Sequence, residues 1–149
     1  MKELNSCILR QVVYDDVYHG LLECLDNLSS SVLDKENAMR MLKVREILSI
    51  KTIVLVHEEK VVGTASYFLE PKLFHDGLCV CHIEDVVVHK DWAGLGVGKK
   101  LIEYILDNSK DFCYKAILDC KEDIAGFYEK IGFHKQEIQM RLDYGKKDS

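Results

Sequence analysis

Val86-Val87-Val88-His89-Lys90-Asp91-Trp92-Ala93-Gly94-Leu95-Gly96-Val97-Gly98-Lys99-Lys100 is the stretch on which the fold turns. An apolar run of strand character passes through a short polar loop into glycines at alternate positions. A helical pattern follows. Val97, Leu101, Ile102, Ile105 and Leu106 fall at i, i+4, i+5, i+8 and i+9, the stripe of a helix with one buried face. Without Cβ atoms, the backbone at Gly94, Gly96 and Gly98 can approach a ligand closely. The first N–H groups of a helix lack intrahelical partners and lie at the positive end of its dipole, which suits them to phosphate or pyrophosphate. Each charge held there gains roughly 0.3–1 kcal/mol. The spacing matches neither G-x-x-x-x-G-K-[ST] nor G-x-G-x-x-G, so two familiar phosphate loops are excluded. A turn without a ligand is the alternative that the glycines alone leave open.

Upstream of this turn, Ile8 to Val13 reads as a first strand. Asp15 and Asp16 are placed to cap a helix carrying Val17, Leu21, Leu22, Leu25 and Leu28, interrupted at Ser29-Ser30-Ser31. Asp34 can cap a second helix reaching about Ile50. Ile53 to Val56 and Val61 to Leu69 form a hairpin across His57-Glu58-Glu59-Lys60. A loop from Pro71 to Gly77 leads into a long strand, Cys79 to Val88. Beyond the glycine turn come a short strand at Ala116 to Leu118, a helix from Asp123 to Ile131 and an ending strand from Gly132 to Arg141. The order β-α-α-β-β-β-α-β-α-β predicts an α/β fold with a mixed central sheet flanked by helices. Glu84 and Asp85, adjacent on a strand, are expected to face opposite ways, which excludes a glycosidase-like pair of carboxylates.

The chain has 149 residues, 48% hydrophobic and 30% charged, with one proline and no low-complexity stretch. One domain spanning residues 1–149 is expected, large enough to bury a core without staples. Twenty basic against 25 acidic residues leave a net charge of −5, which argues against a general nucleic-acid or anionic-membrane binder. There is no apolar run of membrane-span length, and Met1-Lys2-Glu3-Leu4-Asn5 does not open a signal peptide. Cys7, Cys24, Cys79, Cys81, Cys113 and Cys120 contain no C-x-x-C and lie mostly in apolar or patterned segments. They read as small buried hydrophobes in a reducing, cytoplasmic compartment, with no metal site. The polar tail from Gly145 to Ser149 is expected to fray.

A long strand ending in a G-x-G-x-G turn into a helix, followed by Phe127-Tyr128-Glu129-Lys130-x-Gly132-Phe133, resembles the GNAT acetyltransferase superfamily. More narrowly, His82-Ile83-Glu84-Asp85-Val86-Val87-Val88, Tyr114-Lys115-Ala116-Ile117-Leu118-Asp119-Cys120 and Phe127-Tyr128-Glu129-Lys130 resemble the glucosamine-6-phosphate N-acetyltransferase family, with matching spacing over roughly Ile8 to Leu142. The resemblance implies a GNAT fold and acetyl transfer from acetyl-CoA, without a metal, to the 2-amino group of glucosamine 6-phosphate. The product would feed UDP-N-acetylglucosamine synthesis. It also implies a homodimer with shared active sites.

Carried onto these positions, the resemblance makes Tyr128 the phenol that hydrogen-bonds the CoA sulfur and protonates the leaving thiolate. Glu84 and Asp85 contact the sugar, with Glu84 a candidate acceptor of the ammonium proton, and the Asp119 main-chain carbonyl orients the amine. Backbone groups of Val86, Val87 and Val88 pair with the pantetheine arm, while Gly94, Leu95, Gly96, Val97, Gly98 and Lys99 hold the pyrophosphate. The sugar phosphate falls to Lys72, His75, Tyr114, Lys115 and Arg141, with Leu73 and Phe74 also in the substrate site and Ser29 at a further hydroxyl position. Two positions depart from the family pattern. Ala93 stands where a Gln or Arg usually opens the pyrophosphate loop, a lost contact that Lys99 or Lys100 can partly supply. Asp143 aligns with a phosphate-binding arginine, for which Arg141, on the same face of a strand, is expected to substitute. Competing readings are a GNAT enzyme for another amine, such as a protein N terminus or a polyamine, and a non-catalytic acetyl-CoA sensor. Lys72, His75 and Lys115 disfavour a polyamine, and Tyr128 disfavours the sensor.

Overall fold

The computed structural model describes residues 2–146; residues 147–149 of the tail expected to fray lie outside the described residues. Five strands form one sheet in sequence order: β1 (Ile8–Gln11), β2 (Lys51–His57), β3 (Lys60–Pro71), β4 (Cys79–Val88) and β5 (Cys113–Ile117). β1 to β4 pair antiparallel, and β4 pairs in parallel with β5 through the crossover helix α3 (Val97–Ser109). The sheet is mixed, as the element order requires.

Helices α1 (Leu21–Leu25) and α2 (Lys35–Ile47) cover one face, where Leu21, Cys24 and Ala38 meet Val54, Val56, Val61 and Val87. Helices α3 and α4 (Ala125–Ile131) cover the other, where Leu101, Ile102, Ile105 and Tyr128 meet Ile53, Leu55, Ala65 and Ile83. Ile53-Val54-Leu55-Val56 is therefore buried on both sides, the physical reason for its unbroken apolar run. The β2–β3 turn puts Glu58 and Glu59 in left-handed conformation (φ 46° and 64°), the backbone of a tight hairpin whose twist suits the strands. Asp34 caps α2 as expected, its carboxylate accepting the Asn37 amide at 2.8 Å.

The single helix expected from Asp15 to Leu28 is two pieces. A 3-10 turn, Tyr14–Tyr18, stops at Gly20, which takes φ 93° before α1 begins. A Cβ on Gly20 would lie 2.8 Å from Lys60 Cγ and 3.1 Å from the Val61 backbone, while Val61 donates its amide to His19. Close approach to β3 breaks the helix, which no periodicity reports. Asp16 does not cap α1 but closes the start of the 3-10 turn. Its buried carboxylate accepts two bonds from Arg10 and the Val13 amide, all at 2.8 Å.

The ending strand expected from Gly132 to Arg141 does not form, and residues 133–144 carry no ladder. β5 is the edge of the sheet, and no described segment pairs with its outer side. Ile138, Met140, Leu142 and Tyr144 alternate along this segment and are each at least 76% exposed.

Candidate active site

The sheet opens at β4. Thr64 pairs with Val87 and Ser66 with Glu84, so Ala65 alone faces Asp85 and Val86. Two residues against one make a β-bulge, and Asp85 absorbs it with φ 51°. The bulge reverses the side-chain alternation, so the expectation that Glu84 and Asp85 face opposite ways is corrected. Asp85 lines the same cavity as Ser66, the residue opposite Glu84, on the α1–α2 side. Pairing of β4 with β5 ends at His82 and Ile117. From Glu84 to Val88 the main-chain groups on that edge have no neighbouring strand among the described residues. An extended amide-bearing chain could add there as a strand would, the fit that Val86, Val87 and Val88 offer a pantetheine arm.

This open edge leads to the glycine turn. Trp92, buried against the His57 ring at 4.8 Å, pins the loop. Gly94 and Gly96 take left-handed conformations (φ 76° and 88°), and a Cβ on Gly94 would meet open space. Gly98 has a packing role as well, because a Cβ there would lie 3.1 Å from Phe127. Its bareness serves the packing of α4 on α3. Gly96 caps α3 with no side-chain bond, no acid stands in the first turn, and the first backbone bond comes from Lys100. The amides of Val97, Gly98 and Lys99 are thus left for an anion, with Leu95 exposed beside them. Lys99 is exposed and shares its charge with Glu103 at 3.7 Å. These residues fit a nucleotide pyrophosphate.

Tyr128, on α4, packs in the core on the α3 side of the sheet, 8% exposed, with Phe127 and Phe133 edge-on at 4.9 and 5.9 Å. Its hydroxyl hydrogen-bonds no described residue. Burial, and then the neighbouring Cys120 thiol, push the phenol above its ordinary pKa, so it stays a proton donor at neutral pH. The Glu84 carboxyl is raised by desolvation, then by Asp85 and Asp119, with His82 opposing. A raised carboxyl is better matched to accepting a proton near neutrality. His82 stacks on Phe68 at 4.5 Å and bonds Glu70 at 2.9 Å. The Asp119 side chain accepts Gln139 at 2.9 Å.

The structure gathers most of the residues expected around a phosphate. His75 stacks on Tyr114 at 4.1 Å, Lys115 lies over the same ring, and Lys72 lies over Phe74 at 5.7 Å while paired with Glu70. The loop turns sharply through His75 and Asp76, both left-handed, and leaves Leu73 fully exposed. Arg141 lies in the C-terminal segment. Its strand does not form, and its guanidinium pairs with Asp143 at 2.7 Å. Ser29 lies instead in the α1–α2 loop and lines the cavity that Asp85 faces. Sequence reasoning missed Arg45 in that cavity. Ala38, Leu42 and Arg45 fall at i, i+4 and i+7, and a charge on that inward stripe was the available signal.

A mixed sheet splayed at its fourth strand beside an uncapped, glycine-opened helix is the architecture of acetyltransferases of the GNAT type. Residues 49–135 match the family described as Acetyltransferase (GNAT) domain, and the chain belongs to it. Within that family it is similar to the glucosamine 6-phosphate N-acetyltransferase of Trypanosoma brucei brucei, 45% identical over 67% of this chain and 70% of that one. The enzyme of the same name from Arabidopsis thaliana is 36% identical over 89% of this chain and 93% of its own length. A crystal structure of a Trypanosoma brucei acetyltransferase superposes with a TM-score of 0.86 at 38% identity, covering 92% of this chain and 99% of that one. A crystal structure of the Arabidopsis thaliana enzyme gives 0.83 at 33% identity, covering 93% and 98%.

Proposed function

We propose that this chain transfers the acetyl group of acetyl-CoA to the 2-amino group of glucosamine 6-phosphate, yielding N-acetylglucosamine 6-phosphate and free CoA. Relatives carrying that activity in their names support the reading. The observation that carries it is the open β4 edge, running from uncapped amides at the start of α3 toward carboxylates at the bulge, with a cationic and aromatic cluster where β4 and β5 begin. A nucleotide thioester suits one end of this arrangement and a phosphorylated amine the other.

In this reading Lys72, His75, Tyr114 and Lys115 take the phosphate, and Glu84 or water on it accepts the proton that frees the amine. The nitrogen attacks the thioester carbonyl, a C–N bond forms and the C–S bond breaks. Main-chain N–H groups at Val86 and Val87 face the developing oxyanion, Tyr128 gives a proton to the thiolate, and the second proton shed by the nitrogen as the amide forms restores the phenol. Positioning of the two reactants carries much of the rate, worth up to about 7–11 kcal/mol. The homodimer belongs to the same proposal, with segment 134–144 lying along a partner's sheet edge and Arg141 delivered to the partner's phosphate cluster. The alternating exposed apolar side chains of that segment support it. We place the enzyme in the cytoplasm, supplying UDP-N-acetylglucosamine synthesis; no helix among the described residues is long and apolar enough to cross a membrane.

Thiol release from acetyl-CoA against a panel of amines tests the reading. Strong turnover with glucosamine 6-phosphate and little with glucosamine is expected. Preference for a peptide N terminus or a polyamine would refute the acceptor, and CoA binding without turnover on any amine would refute catalysis.

A further inference from the structure

Beneath α1 and α2 lies a cavity of about 260 Å³, walled by apolar side chains such as Leu25, Leu33 and Leu42 and floored by the sheet. Most of the polar groups on its floor are already used. The Thr64 hydroxyl donates to the Ile53 carbonyl at 2.7 Å, and the Ser66 hydroxyl accepts from the Arg45 guanidinium. Arg45 itself is incompletely satisfied: its Nε is buried with no hydrogen-bond partner. No carboxylate among the described residues lies within ion-pair distance of that guanidinium. Asp85, presented by the bulge, lines the same cavity and likewise pairs with no cation among the described residues.

A buried guanidinium edge left without an acceptor is costly to keep, and an apolar side chain of similar length would pack there at lower cost. A donor fork and a carboxylate on one cavity, not touching each other, are matched to a ligand that both donates and accepts. A pair of neighbouring ring hydroxyls does so. The cavity also lies where such hydroxyls would fall. In the reading above the amine reacts at the bulge, and the cationic cluster assigned to the phosphate lies at the opposite end of β4.

We propose that Arg45 is a specificity-determining contact of the acceptor site, its guanidinium anchored on Ser66 and gripping, together with Asp85, the hydroxyl edge of the sugar remote from the phosphate. This rests on the amino-sugar phosphate reading above. Arg45 lies on the inward face of α2, outside every segment that carries the donor, so its loss is felt by the acceptor alone.

Steady-state kinetics with acetyl-CoA and glucosamine 6-phosphate, and with ring-deoxy analogues of that sugar, test the assignment. Arg45→Met should raise the acceptor KM about ten- to a hundredfold, the loss of one or two charge-assisted hydrogen bonds. The KM for acetyl-CoA should stay at the wild-type value, and the melting temperature should not fall. Arg45→Lys, which keeps the charge without the fork, should recover part of the affinity. An analogue lacking the gripped hydroxyl should cost the wild type affinity but cost Arg45→Met nothing further. Should Arg45→Met fail to fold, Ser66→Ala removes the anchor alone and should raise the acceptor KM severalfold. A wild-type acceptor KM in these variants, or losses equal for every analogue and accompanied by a lowered melting temperature, overturns the proposal. A wild type active on glucosamine 6-phosphate with unaffected variants sinks only the role of Arg45. A wild type inactive on that sugar sinks the substrate reading and this assignment with it.

Discussion

Substituting Gly63 by alanine should injure both stability and donor binding, although Gly63 lies on β3 and outside the glycine turn. A Cβ built there lies 2.5 Å from Val97 Cγ1 and 3.2 Å from Leu101 Cδ1. Carbon atoms rest at about 3.5–4.0 Å, so the first contact overlaps by about 1 Å. Val97 cannot swing aside, being 1% exposed and β-branched within a helix that favours one rotamer. The first turn of α3 must therefore lift from the sheet. Overpacking of this kind costs about 1–3 kcal/mol, which in a chain of this size lowers the melting temperature by roughly 2–12 °C. The same lift displaces the uncapped amides of Val97, Gly98 and Lys99, so the KM for acetyl-CoA should rise more than that for the acceptor. Thermal melts and two-substrate kinetics read both effects. Adding Val97→Ala removes the clashing methyl and should restore much of each, with a coupling of about 0.5–3 kcal/mol in the double-mutant cycle. A Gly63→Ala protein that melts like wild type and keeps its acetyl-CoA KM would refute the idea that helix–strand contact sets the position of the anion-binding amides.

Tyr128→Phe should lower kcat about 10²–10⁴-fold, equivalent to roughly 3–5 kcal/mol, while the melting temperature and the acetyl-CoA KM hold, because the lost hydroxyl bonds nothing else among the described residues. Since burial raises that phenol, the alkaline limb of the wild-type kcat profile should lie above the ordinary tyrosine value; a fall in affinity without a fall in kcat would contradict the acid role. Asp16→Asn should destabilise the fold by about 2–3 kcal/mol at neutral pH, measured by urea denaturation, because Arg10 loses its carboxylate partner. Burial alone would raise the Asp16 carboxyl, but the Arg10 bonds, the Val13 amide and the Arg10 charge together hold it below its ordinary value. The unfolded chain then binds the proton more readily, so this contribution is present above about pH 4 and is lost as pH falls through the depressed value. The gap between wild type and variant should close on acidification, and a gap that persists in acid would refute the assignment.

Local pattern was enough for much of this fold. The α3 stripe at Val97, Leu101, Ile102 and Ile105, the cap at Asp34, the doubly buried run at Ile53 to Val56 and the glycine turn were legible because each depends on neighbours within a few residues. The motifs around Glu84, Tyr114 and Tyr128 likewise pointed to one chemistry before any coordinates. Four features were not legible, all for the same reason. Asp85 turns left-handed only because β3 supplies one residue against two, and Gly20 breaks a helix only because β3 passes within contact of it. Arg45 enters the acceptor-side cavity because α2 lies across Ser66. The C-terminal segment has the alternation of a strand, but alternation states which face would be buried and supplies no edge to pair with. Periodicity and capping determined which elements exist and which side of each is apolar. The bulge, the open β4 edge and the company kept by Glu84 are long-range contacts, whose geometry is settled only when distant segments compete for the same space.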